Sequence, residues 1–554
     1  MKFSDKPLSQ TVTQLCLAKG IDHIVISPGS RNAPLTLGFT EHPGFTCYSI
    51  VDERCAAFVA LGMAQQLKRP VAVVCTSGSA LLNYYPAIAE AFYSDIPLVV
   101  LSADRPAALL EIGDGQTIRQ ENVFANHILY SANCEEGTEH QIANETLINV
   151  ALNTAIELQG PVHINVPFSE PLYHTSEVPS VRPQHVPARN PKRPVTEDLS
   201  AYLKRWNKAE RKMVLLGALP PHSVEHKWLD ALANDPSVVV FTEATSNAQH
   251  PAFFPSIDQL IAPLDAKGFE ALRPDVLLTF GGMIVSKKVK AFLRNYQPDH
   301  HWHVDPKRAY DTYFTLDHHF KTTANSFFPA FLPKTQPVTS DYRTHWHSIQ
   351  QHRLAKHAEY TDSVPFSDFK VFSTLFRLLP KDIHLQLSNS ATIRYAQLFD
   401  IHSSIEVYCN RGTSGIDGST STAIGAAMVS GVATVYVTGD LSFFYDSNAL
   451  WNQYIPKDFK IIVVNNGGGG IFRILPGAKD AENFGTFFET KHTLTAKPLC
   501  ELFGFEYTAV KDPADLEGTM GSFFKASERP GLLEIFTPSE VNDSVLLDYF
   551  KYIK

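Results

Sequence analysis

Cysteine is scarce in this sequence, and what there is has no pattern. Seven cysteines are scattered over 554 residues, at Cys16, Cys47, Cys55, Cys75, Cys134, Cys409 and Cys500, with no Cys-x-x-Cys pair. An odd, dispersed set gives neither a disulfide framework nor a zinc site, and it points to a reducing cytoplasm. Basic residues are in deficit too: 48 Lys and Arg stand against 57 Asp and Glu, a formal net charge of −9. That balance argues against nucleic acid or an anionic membrane as the main partner. No apolar run approaches the roughly 18 residues of a membrane span, so no membrane insertion is expected. The start, Met1-Lys-Phe-Ser-Asp-Lys-Pro7, has no signal-peptide apolar region. No repeat of solenoid period occurs. Gly217-Ala-Leu-Pro220 lacks the Gly-x-Gly-x-x-Gly fingerprint, which removes dinucleotide binding there.

What the chain does have is a steady alternation of short β-branched runs with helix-like segments. At this length three domains of about 150 to 190 residues are expected. Proline-rich crossings divide it at 174–194 and 333–337, which sets domains at 1–178, 195–335 and 345–554. The βα alternation predicts an α/β fold of three doubly wound domains with mainly parallel sheets. In the first domain His23-Ile-Val-Ile-Ser27, Tyr48-Ser-Ile-Val-Asp-Glu53, Val71-Ala-Val-Val-Cys75 and Leu98-Val-Val-Leu-Ser102 read as strands, with a helix over 56–67. Polar clusters follow the strands, so they should share the sheet's carboxyl edge, where such sheets bind ligands.

The organising stretch is Val432-Ala-Thr-Val-Tyr-Val-Thr-Gly-Asp-Leu441, answered by Ile461-Ile-Val-Val-Asn-Asn-Gly-Gly-Gly-Gly470. Each is a buried-strand run that stops on residues able to hold a cation or a phosphate. Ser447 to Tyr454 reads as the helix between them, which sets Asp440 and Asn466 side by side. A hard divalent ion takes oxygen ligands and few protein side chains. Asp440, Asn466 and the carbonyl of Gly468 supply them, and the glycines let backbone approach a diphosphate closely. Either half alone reads as an ordinary turn. Together, at βαβ spacing, they resemble the metal and diphosphate motif of the thiamine-diphosphate enzymes.

That resemblance implies thiamine diphosphate with Mg²⁺, or Mn²⁺ in its place, and a semi-buried glutamate in another domain to serve the cofactor's pyrimidine ring. Glu53 fits, although a helix-start carboxylate favoured by the dipole would look the same. Further motifs sharpen the likeness: Ser27-Pro-Gly-Ser-Arg-Asn-Ala-Pro-Leu35, Asp52-Glu-Arg-Cys-Ala-Ala-Phe58, Thr76-Ser-Gly-Ser-Ala80, Ala103-Asp-Arg-Pro106, Gly115-Gln-Thr-Ile118 and Asn410-Arg-Gly-Thr-Ser-Gly-Ile-Asp-Gly418. This set resembles the MenD family, which joins a succinyl unit from 2-oxoglutarate, with loss of CO₂, to isochorismate in menaquinone biosynthesis. The likeness runs from about residue 8 to the last strand. The middle domain matches weakly beyond Lys287-Lys288.

By that resemblance Glu53, Gln116 and Arg394 carry the chemistry. The cofactor is held by Glu53, Ser77, Gly78, Asn389, Ser390, Gly415, Ile416, Gly439, Asp440, Leu441, Ser442, Asn466, Gly468, Ile471 and Phe472. Ser30, Arg31, Arg105, Gln116 and Lys288 face isochorismate; Ser390, Arg394 and Arg411 face 2-oxoglutarate. Lys287 joins either set, and Leu475 adds apolar surface beside the thiazolium. Both substrates carry two carboxylates, so an acidic chain needs these cations gathered locally. Gly115 stands where many relatives have Asn. The cofactor lies between two chains in such enzymes, so a homodimer is the smallest active unit, and a tetramer can be built from it. The alternative is another thiamine-diphosphate-dependent 2-oxoacid decarboxylase or an acetolactate-type synthase, which act on smaller monocarboxylates. A catalytically dead subunit is expected to lack Glu53, Asp440 or Asn466. Residues 473–492, rich in Gly, Phe and charge, are the lid candidate.

Overall fold

The computed structural model describes residues 2–189, 194–474 and 477–554. Its described residues form three parallel sheets with helices, the α/β class expected. The first sheet holds Thr46–Ser49, His23–Ile26, Val71–Cys75, Leu98–Asp104, Val162–Pro167 and Tyr130–Asn133, in that lateral order. The third holds Glu406–Cys409, His384–Leu387, Thr434–Gly439, Lys460–Asn465, Gly531–Phe536 and Glu506–Val510. Counted in chain order within each domain, both sheets run 2-1-3-4-6-5. The middle sheet has five strands, Val238–Phe241, Lys212–Leu216, Val276–Phe280, His300–Val304 and Leu316–Phe320. No helix is long and apolar enough to cross a membrane, among the described residues.

Two readings change in detail. The strand expected over 48–53 is Thr46–Ser49, and the helix that follows begins at Glu53, three residues before the expected start at Ala56. Asp52 caps that helix by accepting from the Cys55 N–H at 3.1 Å, so the chain turns earlier than its apolar run suggests. A helix over Tyr342–Ser363 carries no periodic signal, because it buries only Tyr342, Trp346 and Arg353. The proline-rich crossing expected as a linker is pinned to the first domain over its described residues, 174–189. Gln10 Oε1 accepts from Ser180 N–H (2.7 Å), Asn149 Nδ2 donates to Gln184 O (2.9 Å), and Thr175–Ser176 pairs antiparallel with Phe3–Ser4.

The first and third domains share one core. Helices Glu53–Leu67 and Ser419–Ser430 lie across each other at glycine: a Cβ on Gly62 would sit 2.0 Å from Thr422 O, and one on Gly425 2.0 Å from Val59 O. Phe58 fills the space beside Gly418, and the buried cluster continues from Val25 through Tyr84 to Tyr436 and Leu532. Polar contacts span the same junction. Asp446, fully buried, accepts from Ser421 N–H (2.7 Å) with Arg54 Nη2 3.8 Å away, and Asn448 Nδ2 donates to Asp52 Oδ2 (2.8 Å).

This crossing tolerates no side chain. Gly62→Val is expected to lower stability by about 1 to 3 kcal/mol or more, read as a lower denaturation midpoint, because backbone cannot move aside as a side chain can. Gly518→Ala, in a helix with open space around its Cβ position, should leave the midpoint unchanged or raise it.

Candidate active site

Four strand ends in each six-stranded sheet carry the expected residues. In the third domain Asn389 and Ser390 follow the first strand, Arg411 the second, Asp440 the third and Asn466 the fourth. Their counterparts in the first domain are Ser30 and Arg31, Glu53, Ser77 and Gly78, and Arg105.

Asp440 is the first residue of helix Asp440–Tyr445, which corrects the expected helix over 447–454: Ser447–Leu450 is only a 3-10 turn. An acidic side chain suits a helix start, so the chain turns into the helix directly from the strand. Gly439 is in register with Val464, which places Asn466 at the neighbouring strand end. Asp440 is buried. Its Oδ2 accepts from the N–H groups of Gly467 (2.9 Å) and Gly468 (3.0 Å), and Oδ1 from that of Leu441 (2.7 Å). Asn466 Nδ2 donates to Asp368 Oδ2 at 2.9 Å, while its Oδ1 is buried with no hydrogen-bond partner. An orphaned buried acceptor costs about 1 to 3 kcal/mol. A cation beside Asp440 would satisfy it. Gly468 has φ +151°, and a Cβ there would lie 2.6 Å from Glu489 O, so only glycine can present backbone at this point. Carboxylate, amide oxygen and carbonyl form the all-oxygen donor set of a hard divalent ion, so these residues fit the implied metal.

The glycine-rich turn is fixed by side chains around it. Asn389 Nδ2 donates to Asn410 O and Gly415 O, both at 2.7 Å, and its Oδ1 accepts from Arg411 Nη1 at 2.7 Å. Ser442 Oγ donates to Ile416 O at 2.7 Å, which ties that turn to the helix of Asp440. Ile416 keeps 36% of its surface exposed although it is apolar. Ile471 and Phe472 lie in the 3-10 turn Gly470–Ile474; Leu475 lies outside the described residues. Of the lid candidate, Glu489 and His492 rest on the glycine run: Gly469 N–H donates to Glu489 O (2.5 Å), His492 N–H to Gly467 O (3.1 Å), and His492 Nε2 is 3.3 Å from Asp440 Oδ2.

At the first sheet's edge Arg31 is 4% exposed, donates from Nη1 to Phe168 O (2.8 Å), and has Nη2 3.2 Å from Glu170 Oε1. Burial pulls its pKa down, and the like charge of Arg105 adds to this. Arg105 Nη2 donates to Gly115 O at 3.1 Å, and the Nε of both arginines is buried without a partner. A Cβ on Gly78 would meet Gln116 O at 3.1 Å, and Gln116 is held at φ +56°. Ser77 Oγ is buried and unpartnered, whereas Ser30 is exposed. Burial raises the pKa of the half-buried Glu53, against its own N–H and with help from Asp52. Asp52 already caps the helix, which leaves the Glu53 carboxyl free of that task.

The third group joins the middle and last domains. Arg394 lies beside Arg411, whose charge adds to burial in lowering its pKa, and Asp258 opposes the shift. Ser390 stands at φ +70°, a conformation that costs of order 1 to 3 kcal/mol and clusters at ligand clamps. Lys288 lies 4.8 Å from the Phe550 ring and within reach of Asp258, so within one chain it groups with Arg394, not with Arg31 and Arg105. Lys287 is exposed at the start of the same helix.

Sequence reading missed several residues here. Lys290 sits among Glu243, Arg411 and Arg394, and the run Lys287-Lys288-Val289-Lys290 could have signalled it. Glu243 is buried, with its pKa raised to about 7, and accepts from the Val285 and Ser286 N–H groups at 2.7 Å each. Glu90, in a first-domain helix, reaches across to accept from Gly412 N–H (2.7 Å), Thr413 N–H (2.6 Å) and Thr413 Oγ1 (2.7 Å), and so anchors the loop behind Arg411. A lone glutamate on an apolar helix gives no such signal.

The chain matches three family profiles: "Thiamine pyrophosphate enzyme, N-terminal TPP binding domain" over 7–127, "Middle domain of thiamine pyrophosphate" over 189–387, and "Thiamine pyrophosphate enzyme, C-terminal TPP binding domain" over 390–535. It is 56% identical over 554 residues to a 2-succinyl-5-enolpyruvyl-6-hydroxy-3-cyclohexene-1-carboxylate synthase of Flavobacterium psychrophilum, covering 100% of both chains. Identity is again 56%, with full coverage of both, to the protein of that name from Christiangramia forsetii. It is 38%, over 100% of this chain and 98% of the relative, to that from Porphyromonas gingivalis. With likeness of this extent from end to end, the chain belongs to the 2-succinyl-5-enolpyruvyl-6-hydroxy-3-cyclohexene-1-carboxylate (SEPHCHC) synthase family of thiamine-diphosphate enzymes.

Proposed function

We propose that this chain is a SEPHCHC synthase of menaquinone biosynthesis, which decarboxylates 2-oxoglutarate and adds the succinyl unit to isochorismate, releasing CO₂. The observation that carries this reading is a pair of arginine couples, Arg31 with Arg105 and Arg394 with Arg411, each close enough for one charge to depress the other's pKa. Arg31 is buried and the other three are half-buried; like charges so placed call for anions, and both substrates are dicarboxylates. A decarboxylase or acetolactate-type enzyme for monocarboxylates has less need of two such couples.

Bound thiamine diphosphate supplies an electron sink for loss of CO₂ from a 2-oxo acid. Asp440, Asn466 and Gly468 of residues 345–554 would hold Mg²⁺ or Mn²⁺, and Gly439, Leu441, Ser442, Gly415, Asn389 and Ser390 would hold the cofactor around them. Residues 1–178 serve the pyrimidine ring, and 195–335 form a domain without its own cofactor. Glu53 holds a proton at its carboxyl oxygen for the ring nitrogen, a task its raised pKa suits. Ser77 and Gly78 would line that ring, and the exposed Ile416 would press against the bound cofactor. Ser30, Arg31, Arg105 and Gln116 grip isochorismate; Ser390, Arg394 and Arg411 grip 2-oxoglutarate, and Lys287 and Lys288 close the group. Ile471, Phe472 and Leu475 would supply apolar surface beside the thiazolium, and a dry surround there favours loss of a charged carboxylate.

The working unit is a cytoplasmic homodimer, or a tetramer of two such dimers. Glu53 supports this, since Asp52 and Arg54 on either side of it reach Asn448 and Tyr445 of the same chain, whereas its own neighbours are Asp52, Cys75 and Tyr84 of the first domain.

Incubation with thiamine diphosphate, Mg²⁺, 2-oxoglutarate and isochorismate should give one CO₂ per isochorismate consumed and a product that carries the succinyl unit. Preference for pyruvate over 2-oxoglutarate would reassign the enzyme. Arg394→Ala is expected to reduce kcat/KM for 2-oxoglutarate by about 2 to 4 kcal/mol in transition-state terms. If only the KM for isochorismate moves, the division of the cations is wrong. Glu53→Gln keeps the shape but cannot pass a proton, so hydrogen–deuterium exchange at the cofactor's C2 should slow about 10²- to 10⁴-fold while cofactor binding persists. Exchange at the unaltered rate would leave Glu53 as no more than a helix-start carboxylate.

A further inference from the structure

Asn466 can hold a cation only through its amide oxygen, and an asparagine amide has two ends of nearly the same shape. What decides between them is the group at the other end. Nδ2 of Asn466 donates to Asp368 Oδ2 at 2.9 Å. An ionised carboxylate only accepts, so a flipped amide would set oxygen against oxygen there. Asp368 is itself held fast. It is 3% exposed, its Oδ1 accepts from Thr537 Oγ1 at 2.6 Å, and its N–H donates to Asn542 Oδ1 at 2.8 Å. Thr537 directly follows strand Gly531–Phe536, and its N–H donates to Asn465 O at 3.0 Å, so the anchor is built on the strand beside the one that Asn466 directly follows.

We propose that Asp368 is a positioning residue for the metal site, orienting Asn466 so that Oδ1 faces the cation. The inference rests on the metal reading given above. Plain helix capping does not account for Asp368, because Ser367 is the N-cap and its side chain accepts from Lys370 N–H. Charge is consistent with the role. Asp440 is close enough to Asp368 to repel it, and a divalent ion held by Asp440 and Asn466 would offset that repulsion. The partner of a ligating side chain commonly sets both its orientation and the affinity of the site. Asp368 stands 72 positions before Asp440, in a Ser-Asp pair that looks like any helix start, so no motif marks it.

The test is Mn²⁺ binding followed by electron paramagnetic resonance, on full-length protein with saturating thiamine diphosphate and no substrate. Asp368→Ala should weaken Mn²⁺ about 10- to 100-fold. Asp368→Asn should restore most of the affinity, since its Oδ1 can accept from Asn466 while the Thr537 hydroxyl turns to accept from its Nδ2. Thr537→Val, which loosens the anchor by one hydrogen bond and keeps the volume, should cost about fivefold and serves if Asp368→Ala does not fold. Unchanged Mn²⁺ affinity in Asp368→Ala, or in Thr537→Val where that is the variant that folds, overturns the proposal, even if the melting temperature falls. Asp440→Ala is the separating control: if it too keeps full affinity, the metal reading itself fails, whereas a large loss there with none at Asp368 sinks only the positioning role.

Discussion

The contact on which the rest depends is the crossing of two helices at Gly62 and Gly425, where each backbone touches the other. A Cβ at either place would have to occupy a carbonyl oxygen, so separation and angle are fixed by backbone alone. The helices hang from two sheets of the same strand order, and fixing them fixes how the carboxyl edges of those sheets stand to each other. Those edges collect the polar residues that parallel strands cannot carry in their buried middles. The site therefore follows from the fold's burial pattern: apolar strands, a glycine-tight helix pair, and chemistry confined to the ends.

Electrostatics divide the ends by sign. The strand ends of the third domain that would hold a cation offer Asp440 and the Asn466 oxygen, with Asp368 behind; the Arg411 loop beside them has its charge fixed through Asn389 and its backbone by Glu90. In the first domain Arg31 and Arg105 donate to the carbonyls of Phe168 and Gly115, with the carboxylates of Asp104, Asp114, Glu136 and Glu170 around them. A guanidinium that spends its hydrogen bonds on neutral carbonyls keeps its charge for a ligand. An acidic chain with net charge −9 can thus build anion sites by gathering arginines in pairs at strand ends and spending part of their hydrogen bonding on neutral groups.

Much of this is legible in the sequence, for identifiable reasons. Val432 to Leu441 and Ile461 to Gly470 are strand runs that end on unusual residues, and both the run and its stop are local, so the sequence alone suffices to pair Asp440 with Asn466. Local reading fails where tertiary contacts decide. The helix after Asp440 starts at once because the aspartate suits its first turn, although the apolar spacing of 447–454 offers a later start. Helix Tyr342–Ser363 is polar around most of its surface and is held by three buried side chains, so no period reveals it. Glu90, Lys290 and Asp368 act across domains or from distant helices, and a single buried charge in an ordinary helix carries no mark of what it will meet. Resemblance groups Lys288 with Arg31 and Arg105, whereas in one chain it lies near Asp258 and Phe550, on the side of Arg394.

The stretch Asp52-Glu53-Arg54 brings these levels together. Three successive charges at a helix start are redundant for capping, since one acceptor satisfies the first turn. Asp52 does that work and also accepts from Asn448; Arg54 donates to Tyr445 O and lies over its ring at 4.9 Å. Both flanking residues are thus committed to the third domain of their own chain, and they tie the helix start to it. The middle residue of the three projects from another side of the helix and is left half-buried, uncommitted to capping, with its pKa raised. A carboxyl of that kind, mounted on a start fixed from both sides, has the placement a proton-holding group requires. Capping and the contact with the third domain thus fall to Asp52 and Arg54, and the Glu53 carboxyl is left with neither task.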